Sequence, residues 1–372
     1  MNRRVRHFSG FAMLALMLLT ALPPAARADK LSDNLQTVWE SLWDQRGTPR
    51  HVIRWEQTLT YAISGDDAER HREHIQKAMR EAAKWSQLDI TEITSPGEAK
   101  TAAPLQFEVV RDDALPDTMP CVTMPRWANW TLTKAVVKMQ SKAAWRCTFH
   151  EVMHAMGIPG HPSGKTVLSY FPYRLDEFMP LDQLMLKAWY EAAMPKGATP
   201  LEALAVLTET VSKQTDLGIP IEQANERTKA FNLRAVEDLK ALASGGGEIP
   251  TIVQRSGRAS TQFVDAGRPF AAYFVGQAYL RGTIVERDAV SSSAWFKLSA
   301  ERGYSAGQVM WARALIKGAG VNVDPSAAHA WLTLAAKNNT VARKELEMLE
   351  KSMTPEQVDA ARLLPPPVLN SP

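Results

Sequence analysis

Shifted by 36 residues, the segment from about 270 to 340 falls onto itself. Ala278 meets Ala314, Gly282 meets Gly318, Val285 meets Val321 and Asp288 meets Asp324; Ala294, Trp295, Leu298 and Ala300 meet Ala330, Trp331, Leu334 and Ala336. A fixed period of this length constrains the fold strongly, because one unit cannot bury its apolar face alone and must stack on a neighbour. Two copies are fewer than the roughly three that usually make a stable array. Flanking helices are therefore expected to close it. The run KELEMLEKSMTPEQVDAARLL suits that role, since Thr354, Pro355 and Gln357 form a helix-start capping box.

The pattern and period resemble the Sel-one-like relatives of tetratricopeptide repeats. That resemblance implies two antiparallel helices per unit, Ala and Gly at close-packed positions, a Gly-x-x-Val-x-x-Asp loop, and a concave surface able to bind a protein partner. Residues 263–364 are assigned to such repeats with a capping helix, and 365–372 to a flexible tail. The whole chain has 372 residues, 45% hydrophobic and 22% charged. This is a soluble globular composition with room for two domains, and it excludes collagen-like, disulfide-scaffold and wholly disordered chains.

The N-terminus sets the compartment. Arg3, Arg4 and Arg6 precede the apolar run FAMLALMLLTAL, and Ala26, Arg27 and Ala28 make an A-x-A cleavage site, so 1–28 reads as a secretory signal. The run is too short to span a bilayer, and no stable membrane anchor is expected after cleavage. Removing 1–28 takes away Arg3, Arg4, Arg6 and Arg27 and no acid, which turns the formal charge of +3 into −1. The basic balance therefore belongs to the signal, and no nucleic-acid partner is expected. The mature protein is expected in the periplasm or outside the cell. In an oxidising compartment its two cysteines, Cys121 and Cys147, are expected to form a disulfide; a thiolate metal ligand and an inert free thiol are the competing readings for Cys147.

Between signal and repeats, Leu31, Leu35, Val38, Trp39 and Leu42 recur at helical spacing. RWEQTLTYAIS alternates as a strand, with Trp55, Gln57, Leu59, Tyr61 and Ile63 on one face. Residues 68–86 read as a helix with Ile75, Ala78, Met79, Ala82 and Ala83 on its stripe. LDITEI, PLQFEVV and TLTKAVVKM read as strands, and a helix is expected from an N-cap at Ser141 to Met156, stopped by Gly157. Further helices are expected near 181–207 and 221–243, and Ser244, Gly245, Gly246 and Gly247 look like a linker, so 201–262 is assigned as a helical linker region.

The segment CTFHEVMHAMGIPGHPSGKTVLSYF carries the chemistry. On a helix, His150 and His154 lie four apart on one face and can reach one metal. Glu151 stands beside the first of them, where a carboxylate can take a proton from a metal-activated water without being a ligand. Gly157 lets the chain turn, so that His161 could return as a third nitrogen. Three protein ligands plus water is the open arrangement of a catalytic zinc site.

These residues resemble the metzincin group of zinc peptidases, whose extended motif is H-E-x-x-H-x-x-G-x-x-H followed by a Met-containing turn. The resemblance implies an α+β zincin-like domain over 29–200, with a twisted, mostly parallel sheet and an active-site helix, followed by the all-α repeat domain. It also implies one catalytic Zn2+ held by His150, His154 and His161, Glu151 as general base, a peptide or protein substrate, and Tyr170 at or near the metal. The sequence departs twice: Ile158, Pro159 and Gly160 put three residues before His161 where the family has two, and Leu168 occupies the Met place. The alternative is a non-catalytic exported scaffold with a zincin-like zinc-binding domain. Trp127 and Trp130 with Arg126 read as loop aromatics covering a core, and Asp176, Glu177 and Asp182 as a helix start and a solvated face.

Overall fold

The computed structural model describes residues 29–44, 47–94, 103–169, 176–214, 216–245 and 261–370; the signal at 1–28, Tyr170 and most of the glycine run lie outside them. Helix α1 (Lys30–Ser41) opens the described chain, followed by β1 (Leu59–Gly65), α2 (Ala68–Ser86), β2 (Ile90–Glu92), β3 (Leu105–Val110), β4 (Cys121–Ala128), β5 (Thr131–Gln140) and α3 (Ser141–Ala155). The strands form one mixed sheet in the order β2-β1-β3-β5-β4. Its first four members are parallel, while the edge strand β4 runs antiparallel to β5.

Alternation explains the layering. Leu59, Tyr61 and Ile63 of β1, Leu105, Phe107 and Val109 of β3, and Ala135, Val137 and Met139 of β5 are buried, and α2 and α3 pack on the sheet. Gln106, Glu108, Val136 and Lys138, on the opposite face, are only half-buried. This period of two is what one covered face requires.

Four local expectations change. The strand begins at Leu59 rather than Arg54, and Gln57 is exposed, because the Trp55 indole donates to Ala155 O at 2.9 Å and ties its segment to the end of α3 instead. Residues 121–128 form a strand despite Pro125, which an edge strand tolerates because its outer side needs no donor. Ser141 is the first helical residue and Gln140 the cap; the Ser141 hydroxyl donates to Asp67 across the fold. The stretch 181–207 is two helices, α4 (Pro180–Tyr190) and the start of α5 (Pro200–Ser212), with Thr199 capping the second.

Helix α6 (Ile221–Ser244) ends at Gly245, and α7 (Thr261–Arg281), α8 (Ala289–Glu301), α9 (Ser305–Lys317), α10 (Pro325–Ala336), α11 (Thr340–Ser352) and α12 (Pro355–Arg362) complete the chain. Leu204 and Leu207 of α5, Val236 and Leu239 of α6, and Phe274 and Val275 of α7 share one apolar cluster with the sheet. Helices α8 to α11 bury a second cluster around Phe296, Trp311, Leu315, Trp331 and Leu332. The repeated Asp has a plain role: Asp288 accepts from the backbone of Val290 and Ser291 at the start of α8, and Asp324 from that of Ala327 at the start of α10. The capping box at Thr354 and Gln357 is present on α12. Beyond it, Asn370 N donates to Glu301 O at 2.8 Å. Among the described residues, no helix is long and apolar enough to cross a membrane.

Candidate metal centre

Helix α3 presents His150 and His154 from successive turns of one face, then ends at Gly157 with φ of 101°. A Cβ at Gly157 would lie 2.1 Å from Ile53 O, so this turn and this close approach both require glycine. The loop then brings His161 back over the helix. Its Nε2 lies 3.2 Å from that of His150 and 3.0 Å from that of His154, while His150 and His154 are 3.1 Å apart. The extra residue before His161 is absorbed within the loop, where Ile158 O accepts the Nδ1 proton of His154 at 2.8 Å.

This donor set fits a tetrahedral ion. Metal–nitrogen bonds of about 2.0–2.1 Å imply nitrogen atoms about 3.3 Å apart, close to the separations observed. Val167 O accepts from Nδ1 of His150 at 2.8 Å, as Ile158 O does from His154, so both rings are held as the tautomer whose Nε2 carries a lone pair. Lone pairs aimed at one point repel unless a cation lies between them. Burial lowers all three imidazoles and, with His150 beside it, takes His154 down to about 3, so they stay neutral and able to ligate. Among the described residues, these three make the group of His, Cys, Asp or Glu with metal-binding spacing.

Glu151 is 3% exposed. Its Oε2 accepts from the Thr123 hydroxyl on β4 at 2.6 Å, and desolvation pushes its carboxyl up to about 7 while that hydrogen bond opposes the rise. Cys121 and Cys147 are joined, Cα to Cα 6.3 Å, so the bridge binds β4 to α3 one turn before His150. Thr123 and Glu151 are thereby kept in reach of each other.

Three supports escaped the sequence reading. Glu40, buried on α1, accepts from Ser163 N at 2.7 Å and Ser163 Oγ at 2.9 Å, and Ser41 O accepts from Gly160 N at 2.8 Å; α1 thus clamps the loop that carries His161. Asp182 is buried, not solvated. It accepts from the Thr166 hydroxyl, from Val167 N at 3.0 Å and from Met179 N at 2.9 Å. The Val167 peptide therefore links Asp182 on one side to His150 on the other. Leu168 is fully buried beside it as part of the apolar core. Thr123 is the third, and Cys121 two residues earlier on the same strand face was the signal available for it.

The aromatics divide. Trp130, at the β4–β5 turn, stacks on His51 with ring centroids 4.3 Å apart, and His51 in turn meets Phe274 of α7 at 5.1 Å. Trp127 instead stands on the edge strand itself, 49% exposed, so it does not cover a core.

Comparisons with known proteins bear on the repeats. Residues 269–304 and 305–340 match the Sel1 repeat family, so the 36-residue period is a pair of Sel1 repeats. Among solved structures the chain is similar to c5321, a protective antigen present in uropathogenic Escherichia coli strains and displaying an SLR fold, at 20% identity over 59% of this chain and 43% of that one, with a TM-score of 0.27. It is also similar to a Sel1 repeat protein from Oxalobacter formigenes, at 21% identity over 45% of this chain and 55% of that one, with a TM-score of 0.22. The chain spans about half the length of these two structures. No curated protein matches it.

Proposed function

We propose that the protein is an exported, zinc-dependent metallopeptidase of metzincin-like design, whose Sel1 repeats hold a protein partner or the substrate protein. The observation that carries the reading is the convergence of the His150, His154 and His161 Nε2 atoms beside a buried Glu151. Zinc held there would supply Lewis acidity to a water and to a peptide carbonyl. The three imidazoles bind the ion while Val167 O and Ile158 O orient two of them. Thr123 holds Oε2 of Glu151, and the carboxylate takes the proton of the attacking water and returns it to the leaving nitrogen. The outer edge of β4, running past Glu151, offers backbone donors and acceptors to an extended peptide. Export rests on the signal-like residues 1–28 and agrees with the disulfide.

A second reading, a non-catalytic exported scaffold with a zinc-binding domain, is favoured by the Sel1 match, since paired-helix repeats serve protein–protein interaction. Glu151 argues for the enzyme: burying a carboxyl costs stability that the Thr123 hydrogen bond offsets only in part, and a purely structural ion has no use for it. Metal analysis and peptide digestion on the mature protein and on Glu151→Gln separate the two. The peptidase should bind one zinc per chain in both forms and lose about 10²–10⁴-fold in turnover in the variant. Zinc without hydrolysis in the wild type would mean the scaffold.

A further inference from the structure

We propose that Trp127 forms an apolar subsite that selects an aromatic or large aliphatic substrate side chain about four residues from the cleaved bond. The inference rests on the peptidase reading and names the substrate class for that site. The register of β4 carries it. Cys121 pairs with Met139, Thr123 with Val137 and Pro125 with Ala135, partners that are all buried on the helix-covered face. Cys121 and Thr123 reach α3 on that side, through the disulfide and through Glu151. The pairing then slips at Arg126/Trp127, so Trp127 lies opposite Leu132, which is itself buried. Residues directly opposite on paired strands share a face, so the irregularity leaves the indole on the same side as Thr123.

Four residues of strand separate them, about 13 Å. A peptide paired along the free edge of β4 advances at the same rise, so with its cleaved bond at Glu151 it places a side chain of the matching face against the indole about four residues away. About half of Trp127 is exposed there, while Met124 and Arg126, also exposed on β4, alternate onto the opposite face. A flat apolar wall of this kind recognises Phe, Tyr, Trp, Leu or Met rather than charge.

The test is digestion of a peptide library, randomised over five positions on each side of the cleaved bond, by zinc-loaded wild type, Trp127→Ala and Trp127→Phe. The wild type should enrich aromatic and large aliphatic residues at one position three to five residues from the cut. Trp127→Ala should abolish that enrichment and raise KM for the best peptide about tenfold with kcat changed less than about twofold, while Trp127→Phe keeps the preference. Zinc content confirms that each variant retains the metal centre. Cleavage with the same preference in Trp127→Ala, or without any preference at those positions in the wild type, overturns the subsite and leaves the peptidase reading standing. No cleavage by the wild type overturns both.

Discussion

Asp182 shows what a single side chain does at this centre without touching the histidines. Burial raises its carboxyl to about 6 against the hydrogen bonds from Thr166, Val167 and Met179 that lower it. The folded state thus keeps a proton that the unfolded chain, with an aspartate near 3.9, has released, so this group's contribution to stability falls as pH rises from about 4 to about 6, by about 3 kcal/mol in all. Urea titration of metal-free protein should therefore find that Asp182→Asn loses less stability, or gains more, than wild type between pH 4 and pH 7; equal changes would mean that Asp182 does not titrate in this window. His150, Glu151, His154 and His161 were legible in the sequence because helical spacing alone sets three of them on one stretch and Gly157 turns the chain towards the fourth. Asp182 and Thr123 were not, since what they touch depends on a loop packing and on a strand pairing that spacing does not encode.

Among the elements, α1 has the clearest unforeseen role. Its amphipathic stripe is readable from Leu31 to Leu42, but nothing in that stripe marks Glu40 as a buried partner of a distant loop. Glu40→Ala removes the acceptor for Ser163 N and Oγ, so the loop bearing His161 loosens. Zinc affinity, measured by competition with a chromogenic chelator, should fall about 10–100-fold, in the manner of other supports behind metal ligands. Strand β4 was hidden for a different reason: Pro125 interrupts it, and Arg126 and Trp127 beside it read as loop residues. Its attachment is testable. The Cys121–Cys147 bridge spans 26 residues, and replacing both cysteines by serine should destabilise the oxidised protein by about 3–4 kcal/mol, read as a shift in the urea midpoint. The repeat helices were the most readable elements, since the period, the capping Asp288 and Asp324, and the Thr354 box are all local signals.

At the scale of the whole molecule, the repeats are not an appendage. Helix α7 opens the first Sel1 repeat, yet Ala271, Phe274 and Val275 are buried in the cluster that also holds the sheet, and the His51–Trp130 stack joins Phe274 to the tip of the β4–β5 turn. Phe274→Ala should cost about 3–5 kcal/mol and lower the thermal midpoint of the sheet domain, followed through the near-ultraviolet signal of its tryptophans, as well as that of the repeats. If only the repeats melt earlier, the two parts are energetically separate. The 36-residue repeat, the helical phase of His150 and His154, and the alternation of Leu59, Tyr61 and Ile63 are written in the chain itself, because each of these is a periodicity carried within a short stretch. Tertiary structure decided the rest: which carbonyls orient the imidazoles, which helix clamps the His161 loop, that β4 is a strand beside Glu151, and that α5 to α7 join the first core. Those outcomes follow from contacts between segments far apart in the chain, where hydrogen bonding and apolar packing select partners that no local spacing specifies.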